Sequence, residues 1–160
     1  PRLPKVGMQA VLRKEFDHMK WFGRGPIENY PGRKYAAPVG IYSKTVQELY
    51  EPYIVPCDYG NRSDVRWAAL TNDQGTGWLV TGDKQLNISA HPFSTNNLER
   101  ARYIHQLNPA EAVYFNIDHK VSGTGTKFHE PLDLYQVKTK PYSFMIRLSP
   151  ISNEDMIGRK

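Results

Sequence analysis

Ionisable and hydrogen-bonding side chains crowd one shaped stretch of this sequence, Trp21-Phe22-Gly23-Arg24-Gly25-Pro26-Ile27-Glu28-Asn29-Tyr30-Pro31-Gly32-Arg33. The carboxylate of Glu28, the amide of Asn29, the phenol of Tyr30 and the guanidinium of Arg33 can bond a ligand or tie the stretch to neighbouring segments. Further carboxylates, Asp58, Asp64, Asp118 and Glu130, stand near conspicuous turns. No spacing pairs any two of these groups for acid–base work, so each is expected to be a salt-bridge or turn partner. The histidines, His18, His91, His105, His119 and His129, form no HxH, HExxH or His/carboxylate triplet, and no metal site is expected. His91 before Pro92 and His119 after a strand read as satisfied structural groups. Neither a serine-centred elbow nor a phosphate loop is present.

The elements that must position these groups are strands. Val6, Met8, Ala10 and Leu12 alternate with other residues at period two, and Phe16, Met19 and Trp21 suggest a second strand that feeds the 21–33 loop. Glycines at 23, 25 and 32 and prolines at 26 and 31 shape that loop. Arg33 to Tyr42 reads as extended or irregular chain. Thr45 and Glu48 have capping-box spacing and predict a one- or two-turn helix through Tyr50 that stops before Pro52. Val65 to Thr81 reads as a hairpin about Asn72-Asp73-Gln74-Gly75, Leu86 to Ala90 as another strand, and Asn96 with Glu99 as the start of a second short helix. Val113 to Asp118 and Tyr142 to Leu148 complete a pattern of about eight to ten strands with two short helices, that of a β-sandwich. One domain over residues 1–150, with a polar tail over 151–160, is the expected organisation.

The bulk composition excludes several classes. At 160 residues and 39% hydrophobic the chain is of one-domain size and of ordinary globular composition. Its formal charge of +5 comes from scattered Lys and Arg, so no nucleic-acid stripe is expected. No apolar run approaches a membrane span, and the compartment is left open. The lone Cys57 can form no internal disulfide and is expected in a loop or as a small buried residue. Tyr50, Tyr53 and Tyr59, interleaved with Pro52 and Pro56, offer either a sugar-stacking surface or a cluster that packs on itself.

The run WFGRGPIENYPGRK, with YEPYIVPCDYGNRSDVRW after it, closely resembles the small-chain, or fifth-domain, segment of family 2 β-galactosidases. That family has a W-x-G-x-G-P-x-E-N-Y-P-D-R run and then Y-x-P-Y-x-x-P-x-x-x-G-N-R-x-D-x-R-W. LNISAHPFSTNNLERARYIHQL and VYFNIDHKVSGTG look like the next two blocks, and the similarity reaches from about Val6 to Leu148.

The resemblance implies an all-β supersandwich of the galactose mutarotase-like type, of which this chain would be the C-terminal portion. It implies no catalytic residue here, because the family's two glutamates lie in a barrel domain N-terminal to this segment; Mg²⁺ and Na⁺, where used, would bind in other domains, and no cofactor is expected on this chain. The partners implied are the remaining domains of the parent enzyme, β-galactosides and further copies in a homo-oligomer. A strand edge left open by the missing part would suit self-association. The family's G-x-G is followed by an aromatic, usually Trp, that projects into the sugar pocket. Gly123 and Gly125 match the glycines, the Trp is absent, and Phe128 or His129 is the nearest substitute. An autonomous carbohydrate-binding module and a mutarotase-like epimerase are the alternative readings.

Overall fold

The computed structural model describes residues 2–125 and 129–152 and is all-β, as expected of a sandwich-type chain. In chain order the strands are β1 (Arg2–Leu3), β2 (Lys5–Arg13), β3 (His18–Arg24), β4 (Val39–Thr45), β5 (Arg62–Thr71), β6 (Gly77–His91), β7 (Ala112–Val121), β8 (Val137–Lys138) and β9 (Ile146–Ile151). One helix, α1 (Thr95–Arg100), and two single 3₁₀ turns lie between them. Seven strands form an antiparallel sheet in the order β2-β7-β6-β5-β3-β4, with β9 added on β6; β1 and β8 make a separate pair.

The sheet branches at β6. Its first part, Gly77 to Gly82, pairs with β9, and its last part, Asn87 to His91, pairs with β7, while β5 runs along the opposite side. Register shifts in β5 around Val65 take up the bend. The inner face carries Met19, Trp21, Ala68, Leu70, Val80, Ile88, Phe115 and Ile117, all fully buried or nearly so. Because β3, β5, β6 and β7 all contribute to this one cluster, the sheet curls about its own inner face, with Val46 and Leu49 plugging it from the turn after β4.

Several expected elements come out differently. The predicted helix after Thr45 is a single turn. Its capping box is real, with the Thr45 amide donating to Glu48 Oε2 at 2.7 Å and the Glu48 amide to Thr45 Oγ at 3.2 Å, but nothing beyond it repays helix nucleation before Pro52. The second helix exists, with Ser94 rather than Asn96 as its N-cap, Ser94 Oγ accepting from the Asn97 amide at 3.1 Å. Of the extended and irregular readings of the chain up to Tyr42, the extended one holds from Val39, where β4 begins. The two strands expected within 77–90 are one long strand, β6. Tyr142 and Phe144 precede β9 and pack on His119 instead of joining the strand. Ile151 is buried and pairs with Gly77, so the sheet runs one residue past the expected tail boundary, and residues 153–160 lie outside the described ones.

Among the described residues β2 and β4 each have a strand neighbour on one side. Phe115→Ala, which empties a site with 1% exposure in the main cluster, is expected to cost about 3–5 kcal/mol. Ile41→Ala, at a position 61% exposed on β4, is expected to stay within about 0.5 kcal/mol, both read from urea unfolding midpoints.

Candidate functional site

Where β3 ends, the chain leaves the sheet at Gly25, whose amide donates to the Pro38 carbonyl at 3.2 Å. A cis Gly25-Pro26 peptide follows. A Cβ at Gly25 would sit 2.7 Å from the Tyr42 ring and 3.0 Å from that of Trp21, so only glycine fits between these aromatics. At its far end the loop closes through a Tyr30–Arg33 bridge over Pro31-Gly32, with Gly32 at φ +85°, the proline-then-glycine order of a type II turn.

Asn29 is fully buried and wholly engaged. Its Oδ1 accepts from the Ser63 amide at 2.9 Å, its Nδ2 donates to the Ile27 carbonyl, and its backbone exchanges bonds with Asn61. These bonds tie the loop to Asn61 and Ser63 at the start of β5. Glu28, with 8% of its side chain exposed, gathers four donors: Arg33 Nη2 at 2.6 Å, the Gly60 amide at 2.8 Å, the Tyr30 hydroxyl at 3.3 Å and the Tyr53 hydroxyl. Arg33 also lies over the Tyr30 ring. Burial, with the Glu28 charge beside it, pushes the Tyr30 phenol far above its ordinary range, so it stays a neutral donor. Glu28, Asn29, Tyr30 and Arg33 are therefore brought together, and their strong bonds run to the chain itself.

Two more arginines, Arg24 and Arg62, brace the loop. Arg24 Nε donates to Asp64 at 2.6 Å and its Nη1 to the carbonyls of Lys34 and Ala37. Asp64, at φ +56°, also accepts from Lys34, and these bonds hold its carboxyl below the ordinary range against the opposing effect of burial. Arg62 is fully buried, donates to the Gly60 and Pro26 carbonyls at 2.6 and 3.0 Å, and lies over the Trp21 ring. Burial lowers its guanidinium from the ordinary value. Both arginines sit in the quoted motif runs, but apart from Gly60, two residues from Arg62, the carbonyls they reach lie 10 to 36 residues away.

Beside the loop lies an open cleft of about 490 Å³. Ile27, Tyr35 and Ala36 give it apolar walls; Arg33, Lys34 and Glu51 supply its charged rim. Tyr35 is 91% exposed there, a ring that no sequence pattern distinguished. The second conspicuous sequence, around Gly123-Thr124-Gly125, meets the first: a Cβ on Gly123 would come within 2.5 Å of the Pro31 carbonyl, and the Tyr135 ring packs against Gly32. Of the two substitutes for the family Trp, His129 is exposed, and Phe128 lies outside the described residues.

The three tyrosines do not share one stacking surface. Tyr59 is buried, edge-on to Tyr50 at 5.4 Å and to His91 at 4.3 Å, in a small core with Phe93 and Leu98, while Tyr53 bonds Glu28. Each singled-out carboxylate has an ionic partner, Glu130 with Arg2 and both Asp58 and Asp118 with Lys5 among them. The two histidines expected to be satisfied are only partly so: Nδ1 of His91 and of His119 is buried without a partner, although His91 Nε2 contacts Ser89 and Asp58 and His119 stacks on Phe144. Cys57 is exposed, the loop reading of the two. Among the described residues no group of three or more His, Cys, Asp or Glu could hold a metal ion, and no helix is long and apolar enough to cross a membrane.

The profile of the family described as "Beta galactosidase small chain" matches residues 1–148. This chain belongs to the β-galactosidase small-chain family. Among its relatives, the "Beta-galactosidase" of Priestia megaterium (strain DSM 319 / IMG 1521) is 37% identical over 141 residues, covering 88% of this chain and 13% of that protein. That of Pseudoalteromonas haloplanktis is 37% identical over 126 residues, 78% of this chain and 12% of that protein. That of Vibrio vulnificus (strain CMCP6) is 30% identical over 160 residues, 95% of this chain and 14% of that protein. This small-chain segment thus spans about an eighth of the length of the β-galactosidases it matches.

Replacing Glu28 by Gln turns an amide group toward at least one of the donors that now meet a carboxylate. It is expected to cost about 2 kcal/mol. Tyr53→Phe, which removes one donor and leaves the acceptor others, is expected to cost about 1 kcal/mol. Denaturant titration of the two variants beside Tyr35→Ala, expected near neutral, measures this ordering.

Proposed function

We propose that this chain is the non-catalytic C-terminal domain of a β-galactosidase, which hydrolyses terminal non-reducing β-D-galactose residues with retention, and that it walls the sugar pocket and supports subunit packing. The observation that carries the reading is the match of nearly the whole chain to the small-chain family, in relatives called β-galactosidase that are some seven to eight times longer. A retaining glycosidase needs two carboxyl groups about 5–5.5 Å apart and open to substrate. Here Glu28, Asp58, Asp64, Asp118 and Glu130, the carboxylates near the conspicuous turns, have lysine or arginine partners, which supports placing the catalytic pair in another domain.

In this reading the 25–33 loop and the Gly123–Gly125 stretch that meets it face the galactoside. His129 or Phe128 takes the part of the family's aromatic platform, and Glu28 with Arg33 keeps the 25–33 loop in shape. Mg²⁺ and Na⁺, where the parent enzyme uses them, bind outside this chain. The one-sided strands β2 and β4 are edges on which the remaining domains or a second copy can dock.

The test is hydrolysis of a chromogenic β-galactoside by this chain, by the rest of the parent enzyme, and by the mixture. Activity only in the mixture is the expected outcome, with His129→Ala or Phe128→Ala raising KM several-fold in the complemented enzyme. Turnover by this chain alone would overturn the assignment.

A further inference from the structure

A second cluster of ionisable groups, apart from the loop, lies on the outer face of the sheet. It joins four elements: Lys5 from β2, Asp118 from β7, His91 from β6 and Asp58 from the 51–61 segment. Lys5 Nζ stands 2.9 Å from Asp58 and 3.9 Å from Asp118, and His91 Nε2 stands 3.3 Å from Asp58. Asp118 is 4% exposed, seated at the Val6/Gly7 bulge of β2, where a Cβ on Gly7 would come within 2.4 Å of its Oδ1. One ammonium therefore serves two carboxylates. With a neutral imidazole at His91 the ionised cluster carries a net negative charge, part of it on the buried Asp118, which a single proton removes.

The 51–61 segment also builds the cleft. Glu51 lines it, and Tyr53 and the Gly60 amide hold Glu28. Asp58 sits two residues before Gly60, so whatever draws Asp58 toward or away from Lys5 acts on the Gly60–Glu28 bond. We propose that the Lys5–Asp58–Asp118 cluster is a pH-sensitive latch, in which ionisation of Asp118 makes it compete with Asp58 for Lys5 and loosens the 51–61 segment against the 21–33 loop.

The groups facing Asp118 are few. They are Lys5 from β2, Asp58 from the 51–61 segment and, across the β6–β7 register, the neutral Asn87; Lys120, two residues along β7, is exposed. Burial pushes the Asp118 carboxyl up to about 7; Lys5 opposes this and Asp58 adds to it. Burial would raise Asp58 too, but His91 and Lys5 outweigh it and hold Asp58 at about 2. Burial also keeps His91 neutral by lowering its value. The two carboxyls thus divide the cluster's roles, Asp58 staying charged while Asp118 titrates near neutrality.

The sign for stability follows from the raised value of Asp118. Its contribution is complete below about pH 4, where the carboxyl is protonated in the folded and unfolded chain alike, and it is lost as pH rises to about 7. His91, lowered from 6.5, acts in the opposite direction, so the Asp118 part is isolated by comparison with Asp118→Asn.

The experiment is a pH titration of the isotopically labelled 160-residue chain by NMR, following the Asp118 side-chain carboxyl carbon and the Gly60 amide. A common midpoint near 7 for both is expected, absent from the Gly60 amide in Asp118→Asn and lowered by about one pH unit in Asp58→Asn. An Asp118 midpoint near 4, or a Gly60 amide that ignores the Asp118 titration, overturns the latch. The wild-type carboxyl and amide signals decide this even if neither variant folds, and no outcome depends on glycosidase activity.

Discussion

The Glu28 carboxylate is the contact on which this end of the molecule depends. A buried anion is tolerated only when its oxygens are supplied with donors, and Glu28 receives a guanidinium, a backbone amide and two phenols from three parts of the chain. By accepting from Gly60 and Tyr53 it binds the 51–61 segment, and by accepting from Tyr30 and Arg33 it closes the loop on itself. Arg62 and Arg24 then have carbonyls in fixed positions to reach. Without that carboxylate their hydrogen bonds would have to hold a loop that supplies few apolar contacts of its own.

The economy of charge is the same throughout the polar part of the fold. Arg24 and Lys34 share Asp64, Lys5 serves Asp58 and Asp118, and Arg33 faces Glu28. Ionic groups committed to each other in this way hold the loops in shape. That accords with a small-chain segment of relatives about eight times its length. In the cleft Tyr35 is exposed, and Arg33 and Lys34 are paired with Glu28 and Asp64.

The motif runs and the alternation of strands were legible in the sequence because both are local. Val113, Phe115 and Ile117 fall at a period of two in the main core, while Asn116 and Asp118 between them are buried as well. The capping box at Thr45 was equally legible, and its failure to grow into a helix also has a local cause in the nearby Pro52. β4 reads as extended or irregular in the sequence because Pro38 and Gly40 obscure a strand that its pairing with β3 defines. Tyr35 escaped notice because exposure has no sequence signature. The tyrosines at 50, 53 and 59 were spaced for one surface, but a ring's direction is set by its surroundings, and two turned inward while the third turned to Glu28.

By itself the sequence determined the class of the fold, the family and the shape of the 21–33 loop, since strand alternation, motif residues and the φ limits of glycine and proline act within a few residues. Only the tertiary structure decided that Pro31 meets Gly123, that Glu28 meets Gly60, and that Lys5 stands between Asp58 and Asp118. Those contacts join residues separated by 32 to 113 positions, and a side chain's ionisation and bonding depend on what surrounds it in space, which chain order does not encode.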